Sequence, residues 1–285
     1  MAGHVGVVGA GTMGIGIAQC LLRAGHPVTI VDPDPAALAA GPDRLRRGGR
    51  LHSLVGSPPS ASRPDPAEPP RWSSALADLS SASWVVECAV ERLTVKRRIF
   101  DELDEVCAPD AVLTSCTSAI PVARLAAGLR HPGRVAGTHF MNPAPMKATV
   151  EVVRGPETTD DSLRRVLDLL AGIGKKGVVT RDAPGFVTNR VLMLMINEAA
   201  AVVAERTADA PTVDRIFQDC FGHPMGPLAT GDLIGLDTVV DTLLVLVAET
   251  GDPRFRPCVL LVDLVAEGRL GRKSGHGFHR YTTSA

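Results

Sequence analysis

Neither sign of charge dominates this sequence: 30 basic residues stand against 31 acidic ones, a formal net charge of −1. Without a one-signed field there is little to gather polyanions, which argues against nucleic acid or an anionic membrane as a partner. There is no CxxC pair either. The 6 cysteines, at positions 20, 88, 107, 116, 220 and 258, are scattered, which in 285 residues reads as reduced thiols in a cytosolic protein rather than a disulfide framework. The opening "MAGHVGVVGAGTMG" lacks the basic start and apolar run of a signal peptide. Charges break the longest apolar segments well short of a bilayer span. These absences leave a soluble intracellular protein, long enough for two domains with separate cores.

Strand-like and helical patterns alternate through the first part of the chain. "HVGVVGAG" (4–11) is a short apolar strand meeting glycines, "MGIGIAQCLLRAG" (13–25) has helical spacing, and "PVTIVD" (27–32) is a second strand ending in an acid. Residues 34–52 look helical. The Pro/Ser-rich stretch 55–75 reads as a surface loop, because so many prolines suit neither a helix nor a central strand. "WVVECA" (84–89), "AVLTSCTS" (111–118), "GRVAGTHF" (133–140), "ATVEVV" (148–153) and "KGVVTR" (176–181) are further strands. Helices are expected at 95–107, with Ile99, Phe100, Leu103 and Val106 inward, and at 160–171. This alternation predicts an α/β fold with a Rossmann-type doubly wound, mostly parallel sheet over residues 1–183. From 184 to 285 the β runs disappear, so an all-α C-terminal domain is expected, forming the substrate cleft and a dimer contact. Several of its helices are apolar over much of their circumference, as helices buried against a partner subunit are.

Two constellations carry chemistry. The first is "GAGTMG", Gly9, Ala10, Gly11, Thr12, Met13 and Gly14, lying between strand and helix. Gly9 permits a tight turn, Gly11 lets a pyrophosphate approach the backbone, and Gly14 allows close helix–strand packing. Asp32, closing the second strand, is placed to accept both ribose hydroxyls of an adenosine. It would repel a 2′-phosphate, so NAD is expected over NADP. The second constellation is Ser118, His139, Glu151 and Asn189, at strand ends and loops where doubly wound sheets bind ligands. A histidine oriented by a carboxylate suits removal of a hydroxyl proton while hydride leaves the same carbon. Each residue has an ordinary alternative: Ser118 as a helix cap, Asn189 as a junction residue, Glu151 as a solvated acid, His139 as a core histidine.

With "VGAGTMGIGIA", "VVECAVERLTVKRRIFDELD", "TSCTSAI", "GTHFMNPAP…VEVV", "DAPGFVTNR", "HPMGPL…DLIGLD" and "LGRKSGHGF" in this order, the chain resembles the 3-hydroxyacyl-CoA dehydrogenase family over nearly its whole length. The resemblance implies NAD-dependent oxidation of a 3-hydroxyacyl thioester, or the reverse, by a cytoplasmic homodimer. It places the catalytic histidine at His139, its glutamate at Glu151, and the serine and asparagine of the site at Ser118 and Asn189. Further cofactor contacts fall on Glu91, Lys96, Asn142 and Lys273. Glu91 could instead cap the helix at 92, and Lys273 could be solvated.

Two departures from the family pattern stand out. The family's SNTS is "SCTS" here, with Cys116 in place of an amide, and "NPVPVMKLVE" is "NPAPMKATVE". Many relatives also carry a Lys-rich helical hairpin after the second strand, against the nucleotide end of coenzyme A. This chain has no lysine before residue 96, although Arg44, Arg46, Arg47 and Arg50 could meet phosphates. That leaves an acyl carrier protein, bearing for example a glyceryl thioester in polyketide extender-unit synthesis, as an alternative to coenzyme A. A non-catalytic, crystallin-like NAD binder is a second alternative. The β-hydroxyacid dehydrogenases, with a lysine four residues before the asparagine, are disfavoured because that position is Gly185.

Overall fold

The computed structural model describes residues 3–55 and 68–281. The chain divides into two compact units, Met1–Ala183 and Pro184–Ala285.

The first unit is built on one sheet of eight strands: β1 Val5–Val8, β2 Val28–Val31, β3 Arg71–Ser73, β4 Trp84–Glu87, β5 Val112–Ser115, β6 Val135–Phe140, β7 Thr149–Arg154 and β8 Lys176–Arg181. Their order is β3-β2-β1-β4-β5-β6-β7-β8, and every pair is parallel except β6 with β7. Helices α1 Thr12–Arg23, α2 Pro35–Val55, α3 Leu93–Val106, α4 Val122–Ala126 and α5 Asp160–Gly172 make the connections. β1, β2, β4 and β5 are buried throughout, which explains why their sequences are continuously apolar rather than alternating. The order reverses between β1 and β4, and the crevice at such a switch point, outside the carboxyl ends of the strands, is where doubly wound sheets take ligands.

The structure corrects one expectation. Arg71–Ser73, read as part of a loop, forms an edge strand in register with Thr29–Val31. Its Trp72 lies over Gly41 of α2, where an added Cβ would meet the indole at 2.2 Å. The side chain of Arg50 and residues 56–67 of the Pro/Ser stretch lie outside the described residues. On α3, Phe100 and Leu103 are buried as expected. Ile99 and Val106 are half-buried, and the buried face also carries Lys96 and Asp104. Burying those two charges requires partners. Asp104 has Arg134 at 2.8 Å and His131 at 3.3 Å; the partners of Lys96 belong to the candidate site.

The second unit is all-helical: α6 Thr188–Ala204, α7 Ala210–Phe221, α8 Pro227–Ile234, α9 Leu236–Thr250 and α10 Val259–Ala266. Its core includes Met193, Ile196, Leu236, Leu243, Phe255 and Leu264. Asp214 accepts the Leu228 and Ala229 N–H groups at the start of α8 and also bonds His279. Asp232 accepts from the Phe278 and His279 N–H groups and the Tyr281 hydroxyl, so two carboxylates tie down the C-terminal segment. Phe221 and Val259 of this unit are 67% and 72% exposed. No helix among the described residues is long and apolar enough to cross a membrane.

Candidate active site

β1 brings the chain to the carboxyl edge of the sheet, where the glycine turn begins. Gly9 has φ +106°, and a Cβ there would stand 2.8 Å from the Cys88 carbonyl oxygen. A Cβ on Gly14 would be 1.9 Å from the Gly9 carbonyl oxygen. The protein's own packing therefore requires both glycines. Gly11 differs: a Cβ there would meet nothing within 4 Å. It is the N-cap of α1 and supplies no side-chain cap, so the first N–H groups of the helix are left to an outside acceptor. Thr12 is exposed beside it, and Met13 is half-buried.

Asp32 pins this turn to β2. Its Oδ2 accepts the Ala10 N–H at 2.8 Å, and its Oδ1 accepts the Asp34 N–H at 2.9 Å. Arg44 donates to the Ala10 carbonyl at 3.2 Å. A cavity of about 360 Å³ beside the turn is lined by Thr12, Gln19, Arg44, Arg47, Asn142 and Met146. An open backbone cradle at a helix start, with a carboxylate at the end of the next strand, fits a dinucleotide with a free ribose diol.

The carboxyl ends of β4 and β5 hold a second, buried network. Glu87, fully buried at the end of β4, accepts from Lys96 Nζ at 2.9 and 3.0 Å, from Ser115 Oγ at 2.6 Å, and from the Ala89 N–H at 2.6 Å. Lys96 is 1% exposed; it also donates to the Ala89 carbonyl at 3.1 Å and lies 3.4 Å from Glu91. Burial pushes its ammonium pKa down, but Glu87 and Glu91 outweigh that and hold it above the ordinary lysine value. Lys96 is thus directed at the protein's own carboxylates, Glu87 and Glu91. Glu91 does not cap the helix at 92. It accepts from Thr117 Oγ1 at 2.5 Å and from the N–H groups of Ser118 and Ala119 at 2.9 and 3.1 Å, fixing the loop that carries Ser118.

Glu87 and Ser115 are not among the candidate residues that the sequence singles out. The available signal was an acid closing the otherwise apolar "WVVE", in a strand with no solvent-facing side.

His139 and Glu151 are direct cross-strand partners in the antiparallel β6–β7 pair. Their side chains lie on one face, Nδ1 of the imidazole 3.2 Å from a carboxylate oxygen, with the residues 5% and 7% exposed. Asn142, two residues past β6, is exposed beside the glycine-turn cavity. The first unit therefore brings together His139 with Glu151, Asp32 with the glycine turn, and Glu91 with the Ser118 loop. Asn189 and Lys273 belong to the second unit. Asn189 is buried in the first turn of α6, and Lys273 lies 2.5 Å from Asp237 at the start of α9.

A dinucleotide cradle and a carboxylate-held histidine on the same carboxyl edge define an oxidoreductase that removes hydride from an alcohol carbon. Residues 4–183 match the NAD binding domain of 3-hydroxyacyl-CoA dehydrogenase, and residues 185–281 match its C-terminal domain. The chain belongs to the 3-hydroxyacyl-CoA dehydrogenase family. It is 40% identical over 275 residues to a probable 3-hydroxybutyryl-CoA dehydrogenase of Bacillus subtilis, covering 96% of each chain. It is 39% identical over 280 residues to a 3-hydroxybutyryl-CoA dehydrogenase of Mycobacterium tuberculosis, covering 98% of each. The solved (S)-3-hydroxybutyryl-CoA dehydrogenase of Ralstonia eutropha superposes with a TM-score of 0.88 at 35% identity, over 99% of this chain and 100% of that one.

Proposed function

We propose that this protein is an NAD-dependent dehydrogenase that oxidises the 3-hydroxyl of a short 3-hydroxyacyl-CoA, such as 3-hydroxybutyryl-CoA, or reduces the corresponding 3-oxoacyl-CoA. The observation that carries this reading is the buried His139–Glu151 pair on the edge that also holds the glycine turn. With Nδ1 turned to the carboxylate, the Nδ1 proton is donated to Glu151 and Nε2 is the basic nitrogen. Nε2 takes the 3-hydroxyl proton, and Glu151 stabilises the imidazolium that results. Bound NAD supplies the hydride acceptor at its nicotinamide ring. Ser118 and Asn189 hydrogen-bond the reacting oxygens. Asp32 takes the adenosine ribose, the N–H groups of the Gly9–Gly14 turn take the pyrophosphate, and Asn142 and Lys273 complete the cofactor site. Glu91 and Lys96 hold the Ser118 loop in place.

Coenzyme A is favoured as carrier because the Bacillus, Mycobacterium and Ralstonia proteins are all named for a CoA thioester. The exposed Phe221 and Val259 suit a homodimer formed through the second unit. Reduced, scattered cysteines and the absence of a membrane-crossing helix among the described residues suit the cytoplasm.

The test follows NADH consumption with acetoacetyl-CoA and, in parallel, with a 3-oxoacyl carrier protein. Turnover of the CoA ester, abolished by His139→Gln, supports the reading. Turnover of the carrier-bound substrate alone replaces the carrier and keeps the chemistry. Binding of NADH without turnover of either leaves a nucleotide-binding protein.

A further inference from the structure

We propose that Cys88 and Cys116 form a peroxide-sensitive dithiol, a modification site that closes to an intramolecular disulfide across the carboxyl ends of β4 and β5. Glu87 and Ser115 are register partners in these parallel strands, and their side chains meet on one face of the sheet. The next residues are Cys88 and Cys116, so both thiols fall on the opposite face. The ladder runs on through them: the Cys88 N–H donates to the Val8 carbonyl and the Cys116 N–H to the Glu87 carbonyl, each at 2.7 Å. Neighbouring strands lie about 4.8 Å apart, within the window of roughly 4.4–6.8 Å that a disulfide bridges. Both are free thiols, and the Cys88 Sγ donates to the Val86 carbonyl at 3.9 Å.

Their exposure separates them from Cys20 and Cys107. Both are half-buried, whereas Cys20 and Cys107 are buried and hydrogen-bonded to the Gly16 and Leu79 carbonyls. The neighbouring Cys88 thiol and the Phe140 N–H hold Cys116 below the ordinary thiol value, and the nearby Cys116 thiol together with burial holds Cys88 above it. Cys116 is accordingly the attacking sulfur and Cys88 the resolving one. In the first step the Cys116 thiolate attacks hydrogen peroxide; the O–O bond breaks, hydroxide leaves, and a sulfenic acid forms. Cys88 then attacks that sulfur; the S–S bond forms, the S–O bond breaks, and water departs. Two thiols lose two electrons, one peroxide becomes two waters, and the thiol protons end in that water.

The position gives the bond a consequence, which rests on the dehydrogenase reading. There is no slack between residue 88 and the glycine turn, since a Cβ on Gly9 would already touch the Cys88 carbonyl. Cys116 is linked to Phe140, the neighbour of His139, and lies two residues from Ser118. Joining the sulfurs shifts one or both of these walls.

The full-length reduced protein is treated with hydrogen peroxide, and its peptides are mapped by mass spectrometry without reduction. The expected product is a peptide pair joined through residues 88 and 116, about 2 Da lighter than the two thiols. Turnover of acetoacetyl-CoA falls about 10-fold or more and recovers with dithiothreitol, and Cys88→Ser loses the recoverable phase. Absence of the 88–116 pair, or its replacement by oxidation of the exposed Cys220, overturns the proposal. A cross-link that leaves turnover and NADH affinity unchanged overturns its link to the site. If the reduced enzyme turns over no thioester, the functional reading fails while the mapped cross-link still decides the redox site.

Discussion

Two buried acids in one sheet are handled in opposite ways. Glu87 has a lysine on both oxygens, a serine hydroxyl and a backbone N–H, and its partner Lys96 stays charged. Glu151 faces the imidazole of His139 across the antiparallel strand pair. The first arrangement fixes the loops beyond β4 and β5, and the second is the one our proposal assigns to moving a proton. Asp104, paired with Arg134, belongs with the first kind. A buried carboxylate therefore says little about function until the chemistry of its partner is known.

Substitutions at these pairs should separate the two kinds, the largest effect first. His139→Gln should lower kcat on the order of 10³–10⁴-fold while NADH binding, followed by fluorescence, persists. Glu87→Gln removes the counter-charge of a buried ammonium. It should cost about 3–5 kcal/mol in urea unfolding, appearing as lost stability before any specific loss of kcat.

Asp104→Asn should cost about 3 kcal/mol at neutral pH. Burial works against ionisation of Asp104, but Arg134, the Arg130 N–H and His131 outweigh it and hold its carboxyl below the ordinary aspartate value. Its folded pKa is thus lower than its unfolded one, so its contribution is complete above the unfolded value and fades as pH falls toward the folded one. Unfolding midpoints of wild type and Asp104→Asn should converge in acid; a gap that widens there would contradict the assignment. Smallest of all, Asp32→Ala should raise the KM for NAD about 10-fold with little change in kcat. Equal losses in both would make Asp32 a mainstay of the turn rather than a ribose ligand.

The glycine turn and the strand–helix alternation could be read in the sequence because each rests on local pattern, glycines at a fixed spacing and continuous apolar runs, whereas the pairing of His139 with Glu151 was reached through the family resemblance. β3 escaped because three residues at a sheet edge, next to a proline-rich stretch, have too little pattern to show. The antiparallel step at β7 was legible in principle. The link from Met141 to Ala148 is too short for a parallel crossover, which takes a dozen or more residues. The fate of Lys96 was hidden for a different reason: sequence shows a lysine on a helix, not which way a long side chain is drawn. Only the packed ends of β4 and β5 turn it inward, to Glu87.

The antiparallel meeting of β6 and β7 has an evolutionary corollary. His139 and Glu151 are opposed by strand pairing, not by their separation along the chain. Segment 141–148 can therefore gain or lose residues without separating imidazole from carboxylate. A single deletion inside either strand would flip one of the two side chains to the far side of the sheet. Length drift in this family should accumulate in the bend between the two strands rather than within either of them.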